Sequence, residues 1–202
     1  MSSENRPENL SASDALSRLQ HGNLRYIQDK GVRPNSDSNR REQLTGGQKP
    51  YAIILACADS RVSPEIVFDE GLGDLFVIRV AGNVSDNMVL GSIEYAVLHL
   101  GVNLVVVMGH QSCGAVTAAM DNKDFDGPAT HSHIDSLIDA IRPAVRAVAD
   151  GDNLLERSIK QNAVMVSAQI RTSDPVMGGL EKDGVVVAPA YYKLDSGEVV
   201  WI

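Results

Sequence analysis

Short runs of apolar residues, separated by stretches with helical spacing, constrain the fold of this chain most strongly. The runs lie at residues 51–57, 74–79, 104–109 and 185–188. Apolar runs of this length are typical of buried strands. Strands that alternate with helices indicate a parallel sheet with helices on both faces. We therefore predict an α/β fold with a mostly parallel central sheet flanked by helices.

The apolar positions between and after these runs predict three helices, around residues 89–100, 134–148 and 155–170. Pro143 falls inside the second pattern, where we expect a kink or a restart. Residues 191–202 contain two strand-like segments around an Asp-Ser-Gly turn. This pattern is typical of a hairpin, so we expect the C-terminus to add an edge strand to the sheet.

The first 50 residues follow a different pattern. Residues 1 to about 11 are polar, and we expect them to be disordered. A helical pattern starts at Ser13, a candidate N-cap, and Gly31 is a natural stop. A polar loop follows up to residue 50. We predict an N-terminal helical arm and loop at residues 1–50, packed on a partner subunit, and a single α/β catalytic domain at residues 51–202.

Charge and hydropathy restrict the partners of this chain. The formal net charge is -8 and the sequence pI is about 5.0, which disfavours nucleic acid because phosphate contacts need Lys and Arg. No apolar run approaches the length of a membrane span. The first ten residues contain no apolar run typical of a secretory signal. We expect a cytoplasmic protein that binds neither nucleic acid nor membranes.

The chain has two cysteines, and each follows or closes a predicted strand. Cys57 ends the first apolar run, while His110 and Cys113 follow the third. Ligands of open parallel sheets bind at the carboxyl ends of the strands, and neighbouring strands lie roughly 5 Å apart. Two thiolates and an imidazole favour Zn²⁺ over Mg²⁺ or Ca²⁺. We therefore predict a zinc site with Cys57, His110 and Cys113 as ligands.

The fourth zinc position decides whether such a site is structural or catalytic. Asp59 could close the site as a fourth ligand. Alternatively, Asp59 could pair with Arg61, because arginine forms strong bidentate pairs with carboxylates. The fourth position would then hold water, and a zinc-bound hydroxide would form near neutral pH.

Two short segments together resemble the zinc signature of β-class carbonic anhydrases. They are residues 57–61 (Cys-Ala-Asp-Ser-Arg) and residues 109–113 (Gly-His-Gln-Ser-Cys). The resemblance extends over most of residues 12–120. It implies a lyase that reversibly hydrates carbon dioxide to bicarbonate and a proton, with one Zn²⁺ per chain, in a homodimer or homotetramer. It also implies that Asp59 either ligates zinc, which closes the site, or pairs with Arg61 and admits water.

The resemblance further implies a substrate pocket, partly across a dimer interface. Gln48 would hydrogen-bond a substrate oxygen, and the other lining residues would be Phe76, Ala81 and Tyr95. Tyr95 and His99 are four residues apart on one helix. They would form either a proton relay, since histidine titrates near neutrality, or a structural pair.

One position departs from a subset of the family. That subset binds regulatory bicarbonate with a tryptophan three residues before the first zinc cysteine, where this chain has Ile54. The same subset also uses an arginine at its bicarbonate site, and this chain has that residue as Arg79. We therefore predict that the chain has no regulatory bicarbonate site.

Three alternatives to carbon dioxide hydration are open at this point. The same scaffold could act on another small heterocumulene, such as carbon disulfide or carbonyl sulfide. A non-catalytic zinc module would keep the three ligands but would not need Asp59, Arg61 or Gln48. A redox protein using Cys57 and Cys113 as a dithiol would leave His110 unexplained.

Overall fold

A five-stranded sheet forms the centre of the computed structural model, which describes residues 6–124, 126–128, 130–173, 177–180 and 183–202. The first four strands are parallel, the last is antiparallel to its neighbour, and the spatial order is β2-β1-β3-β4-β5. This sheet confirms the predicted α/β fold. The strands are β1 (Ala52–Ala56), β2 (Leu75–Arg79), β3 (Leu104–His110), β4 (Val186–Tyr192) and β5 (Val199–Trp201).

Eight helices are present among the described residues, and two 3₁₀ turns, Leu44–Gly46 and Ala81–Asn83, accompany them. None of these helices has the length and apolar character needed to cross a membrane. The helices are α1 (Ala12–Ile27), α2 (Ser38–Gln43), α3 (Pro64–Val67), α4 (Asn87–Leu100), α5 (Gly114–Asp121), α6 (Ile134–Arg146), α7 (Leu154–Arg171) and α8 (Met177–Leu180).

The two central strands β1 and β3 bury both of their faces, which is why they are continuous apolar runs rather than alternating ones. In β1, all five residues are buried. Ile54 points to the layer that contains Leu19 of α1. Ile53 points to the opposite layer, which contains Ile93 of α4 and Ala163 of α7. The sheet is therefore covered by helices on both sides, as predicted.

Helix boundaries differ from the sequence-based expectations at several places. Ser11, not Ser13, is the N-cap of α1, because the Ser11 hydroxyl accepts a hydrogen bond from the Asp14 amide at 3.1 Å. The helix ends at Ile27, before Gly31. The predicted polar loop contains α2, and α6 continues through Pro143 without a break.

The N-terminal helix packs on the sheet of its own chain. Ala15 and Leu19 are fully buried there, and a Cβ added at Gly22 would lie 1.8 Å from the Phe68 carbonyl oxygen. Only glycine allows this close approach. The apolar face of α1 is thus already used within one chain, whereas we expected it to pack on a partner subunit. The division of the chain at residue 50 stays a prediction.

The segment that precedes α1 is ordered where the structure describes it. The Arg6 guanidinium donates to the Val97 carbonyl at 3.0 Å. The Asn9 side-chain amide donates to the carbonyls of Pro50 and Leu100, at 2.9 and 3.0 Å. The expectation of disorder was therefore wrong for residues 6–11, because polar side chains fasten them to the end of α4. Residues 1–5 lie outside the described residues.

The C-terminal hairpin is present as predicted, with one difference. The predicted fourth strand at residues 185–188 and the first arm of the hairpin are a single strand, β4, which continues through Pro189. β5 pairs with its end, Tyr192 opposite Val199, and forms the edge of the sheet.

Candidate metal centre

Two neighbouring strands bring the predicted ligands to one edge of the sheet. β1 and β3 are adjacent and parallel, with Ala56 opposite Met108. Their carboxyl ends therefore lie side by side. Cys57 follows β1 directly, His110 is the last residue of β3, and Cys113 precedes the first residue of α5.

The ligand atoms of Cys57, His110 and Cys113 all lie within 4.8 Å of one another. The three residues are 5%, 0% and 1% exposed, so the cluster is shielded from bulk solvent. Both cysteines are free thiols. A buried set of two sulfurs and one imidazole fits a zinc ion.

His110 presents one specific nitrogen to this cluster. Its Nδ1 lies 2.9 Å from the Gln111 carbonyl oxygen, which can only accept a hydrogen bond, so Nδ1 carries the proton. The lone pair is then on Nε2, which is buried without a hydrogen-bond partner. A buried acceptor without a partner is costly unless a ligand satisfies it, and a metal ion would do so.

The two thiols influence each other strongly. The hydrogen bond from Cys113 lowers the pKa of Cys57, and the Gly82 amide acts in the same direction. The interaction with Cys57 and burial raise the pKa of Cys113. Two adjacent buried thiolates need a compensating positive charge, which a divalent cation provides.

Asp59 is turned away from the cluster and toward Arg61. The Arg61 guanidinium donates through Nε to Oδ1 at 2.9 Å and through Nη2 to Oδ2 at 2.7 Å. This bidentate pair, with the Arg61 backbone amide, holds the pKa of Asp59 well below its usual range. Of the two arrangements considered from the sequence, the structure has the one in which Asp59 pairs with Arg61.

Two further residues brace the loop after β1, and sequence reasoning did not assign them to the site. Arg79 donates through Nε to the Cys57 carbonyl at 3.1 Å and through Nη2 to the Asp59 carbonyl. The Gly82 amide donates to Cys57 Sγ at 3.3 Å. All three hydrogen bonds involve backbone atoms, so no residue pattern signals them. Ile54 is fully buried in β1, and the absence of a regulatory bicarbonate site stays a prediction.

The predicted pocket residues lie in separate places on one chain. Phe76 and Tyr95 line a shallow cavity of about 300 Å³ together with residues of α4, and their ring centroids are 6.5 Å apart. Gln48 lines a different cavity, of about 480 Å³. Ala81 lies in the 3₁₀ turn beside Gly82 and lines neither of these two cavities. Among the described residues of one chain, Gln48 and Ala81 thus lie outside the cavity that Phe76 and Tyr95 share.

Tyr95 and His99 are in ring contact on the surface of α4, with centroids 5.0 Å apart. Both side chains are exposed. The contact is compatible with a proton relay and with a structural pair, so both interpretations stay open.

Comparison with known proteins gives consistent matches. A family model described as carbonic anhydrase matches residues 52–199. Carbonic anhydrase 2 of Mycobacterium tuberculosis is 39% identical over 188 residues, which is 90% of this chain and 88% of that protein.

Solved structures with the same fold include two from eukaryotes. The β-carbonic anhydrase of Coccomyxa, in complex with acetazolamide, has a TM-score of 0.71 and 25% identity, over 93% of this chain and 86% of that one. One of two tetrameric β-carbonic anhydrases from Sordaria macrospora has a TM-score of 0.70 and 22% identity, over 94% of this chain and 97% of that one.

Proposed function

Since this chain belongs to the family of β-class carbonic anhydrases, we propose that Cys57, His110 and Cys113 hold one zinc ion and that Asp59 and Arg61 control its fourth position. The chain is a carbonic anhydrase, whose reaction is the reversible hydration of carbon dioxide to bicarbonate and a proton. The single observation that carries the zinc assignment is the buried, unpartnered His110 Nε2 beside two free thiols.

A zinc ion held here would act as a Lewis acid that lowers the pKa of water to near neutrality. Two thiolates cancel the formal charge of Zn²⁺, so we expect weaker acidification than three neutral imidazoles would give. Asp59 would offset this weaker acidification, because its ionised carboxylate lies at the edge of the cluster, 3.9 Å from His110 Nε2. There it could accept a hydrogen bond from water and orient it.

Arg61 keeps Asp59 available for that role. Because both carboxylate oxygens are held by the guanidinium, Asp59 does not turn onto the metal. Arg61 also donates to the Ser112 carbonyl at 3.4 Å, which ties its position to the turn that carries Cys113. The pair thus acts as a gate between a closed site and one open to water.

We also propose that the substrate pocket is completed by a second copy of the chain, in a homodimer or homotetramer. The separation of Gln48 from Phe76 and Tyr95 within one chain supports this proposal. Met88, 80% exposed beside Tyr95, supports it as well, since large exposed apolar side chains mark interaction surfaces when they cluster. Light scattering during size-exclusion chromatography tests it, and a pure monomer would contradict it.

The alternative functions considered from the sequence receive little support. Action on carbon disulfide or carbonyl sulfide finds no support in the comparisons. The zinc-binding arrangement explains His110, which a dithiol function does not. A cytoplasmic location stays a proposal, supported by the two free cysteines, which are typical of a reducing compartment; cell fractionation tests it.

Metal removal tests the proposed zinc enzyme. We expect dialysis against a strong chelator to abolish carbon dioxide hydration, and one equivalent of Zn²⁺ per chain to restore it. Mg²⁺ is the matched control, since it prefers oxygen ligands and should restore nothing. Full activity of protein shown to be free of metal would refute the assignment.

A further inference from the structure

Gly82 connects a zinc-ligand cysteine to a buried asparagine on a distant helix. Its amide donates to Cys57 Sγ at 3.3 Å. Its carbonyl accepts a hydrogen bond from Asn162 Nδ2, in α7, at 2.9 Å. The two hydrogen bonds therefore form a chain from α7 through one glycine to the cluster.

The packing around Gly82 leaves little freedom to reorient. Gly82 has a φ of 72°, in the left-handed region that favours glycine. A Cβ added there would lie 2.5 Å from Ile141 Cδ1 and 3.2 Å from the Ala115 Cβ. Ala115 of α5 and Ile141 of α6 thus pack closely against Gly82. The hydrogen bond from Asn162 fixes the Gly82 carbonyl.

Asn162 itself is 1% exposed. Burying an amide costs free energy unless it is hydrogen-bonded, and an apolar residue of similar size would avoid that cost. A structural role, in which Asn162 only fastens the turn to α7, would explain the hydrogen bond. A purely structural role of Asn162 would not require Gly82 to donate a hydrogen bond to Cys57 Sγ.

We propose that Asn162 is a positioning residue of the zinc site, which holds the Gly82 carbonyl so that the Gly82 amide points at Cys57 Sγ. The inference rests on the zinc site proposed above. Hydrogen bonds to a metal ligand orient it and adjust its basicity, and loss of such partners typically lowers metal affinity about 10–100-fold. Asn162 acts through one intervening residue, so we expect the lower end of that range.

Zinc affinity of the protein tests this proposal. Asn162→Leu keeps the size of the side chain but replaces the amide with an apolar group, so the Gly82 carbonyl loses its hydrogen bond. We expect the zinc dissociation constant, measured by competition with a chromophoric chelator, to rise about 10-fold. In the cobalt-substituted protein we expect a shifted thiolate-to-metal charge-transfer band.

A merely structural role would change the melting temperature of the metal-free protein but neither of those two signals. Ser158→Ala is the matched control, because Ser158 lies one turn earlier in α7 and is also fully buried. It should leave zinc affinity and the cobalt spectrum unchanged. Should Asn162→Leu not fold, Asn162→Ala provides the same test with a shorter side chain that carries no donor.

Wild-type zinc affinity and an unshifted cobalt spectrum in the Asn162 variants would overturn the proposal. An equal loss of affinity in Ser158→Ala would overturn it too, since the effect would then belong to α7 in general. A wild-type protein that binds no zinc would instead refute the proposed metal centre, so the two failures are distinguishable.

Discussion

Asp59 Oδ2 lies 3.9 Å from His110 Nε2, yet the carboxylate is turned to Arg61 rather than to the ligand cluster. The distance is short enough that a small rotation of Asp59 would bring it into the cluster. The Arg61 guanidinium is the group that holds it back. Gating of the proposed zinc site by Asp59 therefore depends on Arg61, and replacing Arg61 tests it.

Replacing Arg61 by alanine should leave zinc bound but remove activity. Without the guanidinium, Asp59 is free to occupy the fourth metal position, and we expect the hydration rate to fall at least about 100-fold, the usual effect of losing one preorganised charged contact. Zinc content and stopped-flow hydration are measured on the same sample. Lys30→Ala, at an exposed position after α1, is the control with unchanged activity. A fully active Arg61→Ala protein would refute the gate while leaving the zinc assignment intact.

Replacing Cys113 by alanine should remove zinc and activity together, because the remaining two ligands cannot hold the ion tightly. Metal analysis of the purified variant checks this expectation. His133→Ala is the matched control, since His133 is exposed and lies outside the three-residue cluster. Stoichiometric zinc in the Cys113 variant would show that the ligand set is different.

Asp69 should stabilise the fold in a pH-dependent way. Burial raises the pKa of Asp69, but hydrogen bonds from Arg25 and from the amides of Val32 and Arg33 bring it below its ordinary value. A lowered pKa means that the stabilisation is present above the unfolded value, about 3.9, and is lost as the pH falls below it.

The test is urea unfolding of Asp69→Asn. We expect a loss of about 1–3 kcal/mol at neutral pH, and a smaller difference from the wild type below about pH 4. Asp29→Asn, at an exposed position nearby, should change stability by less than about 0.5 kcal/mol. A difference that is independent of pH would show that Asp69 does not act through its charge.

Leu19 should matter as a core residue if α1 belongs to the core of its own chain. Leu19→Ala removes a fully buried side chain and should cost about 2–5 kcal/mol of unfolding free energy. Leu24→Ala, 47% exposed on the same helix, should cost far less. Equal small effects of both changes would indicate that α1 is a loosely attached arm.

The sequence predicted the strands and the candidate metal cluster of Cys57, His110 and Cys113 because both leave local patterns. The apolar runs end at Cys57 and just before His110, and parallel strands place their carboxyl ends at one edge. Other features depend on contacts that a pattern does not specify. The amphipathic face of α1 does not reveal which surface covers it, and the Gly82 contact with Cys57 Sγ involves a backbone amide.

The hydrogen bond from Asn162 to the Gly82 carbonyl could not be predicted from the sequence either. The helical pattern of α7 does not show whether an asparagine in it is buried or exposed. The predicted start of α1 was wrong for a related reason. Ser11 and Ser13 are both capable N-caps, and their choice depends on which backbone amide each hydroxyl can reach.

Stopped-flow carbon dioxide hydration, on protein with measured zinc content, tests whether the zinc site of Cys57, His110 and Cys113 is catalytic. The assay is run at about pH 7 and again near pH 9, since deprotonation of water at a zinc site controls the rate. We predict one zinc per chain and fast hydration that rises with pH. Stoichiometric zinc without hydration at either pH would contradict the account.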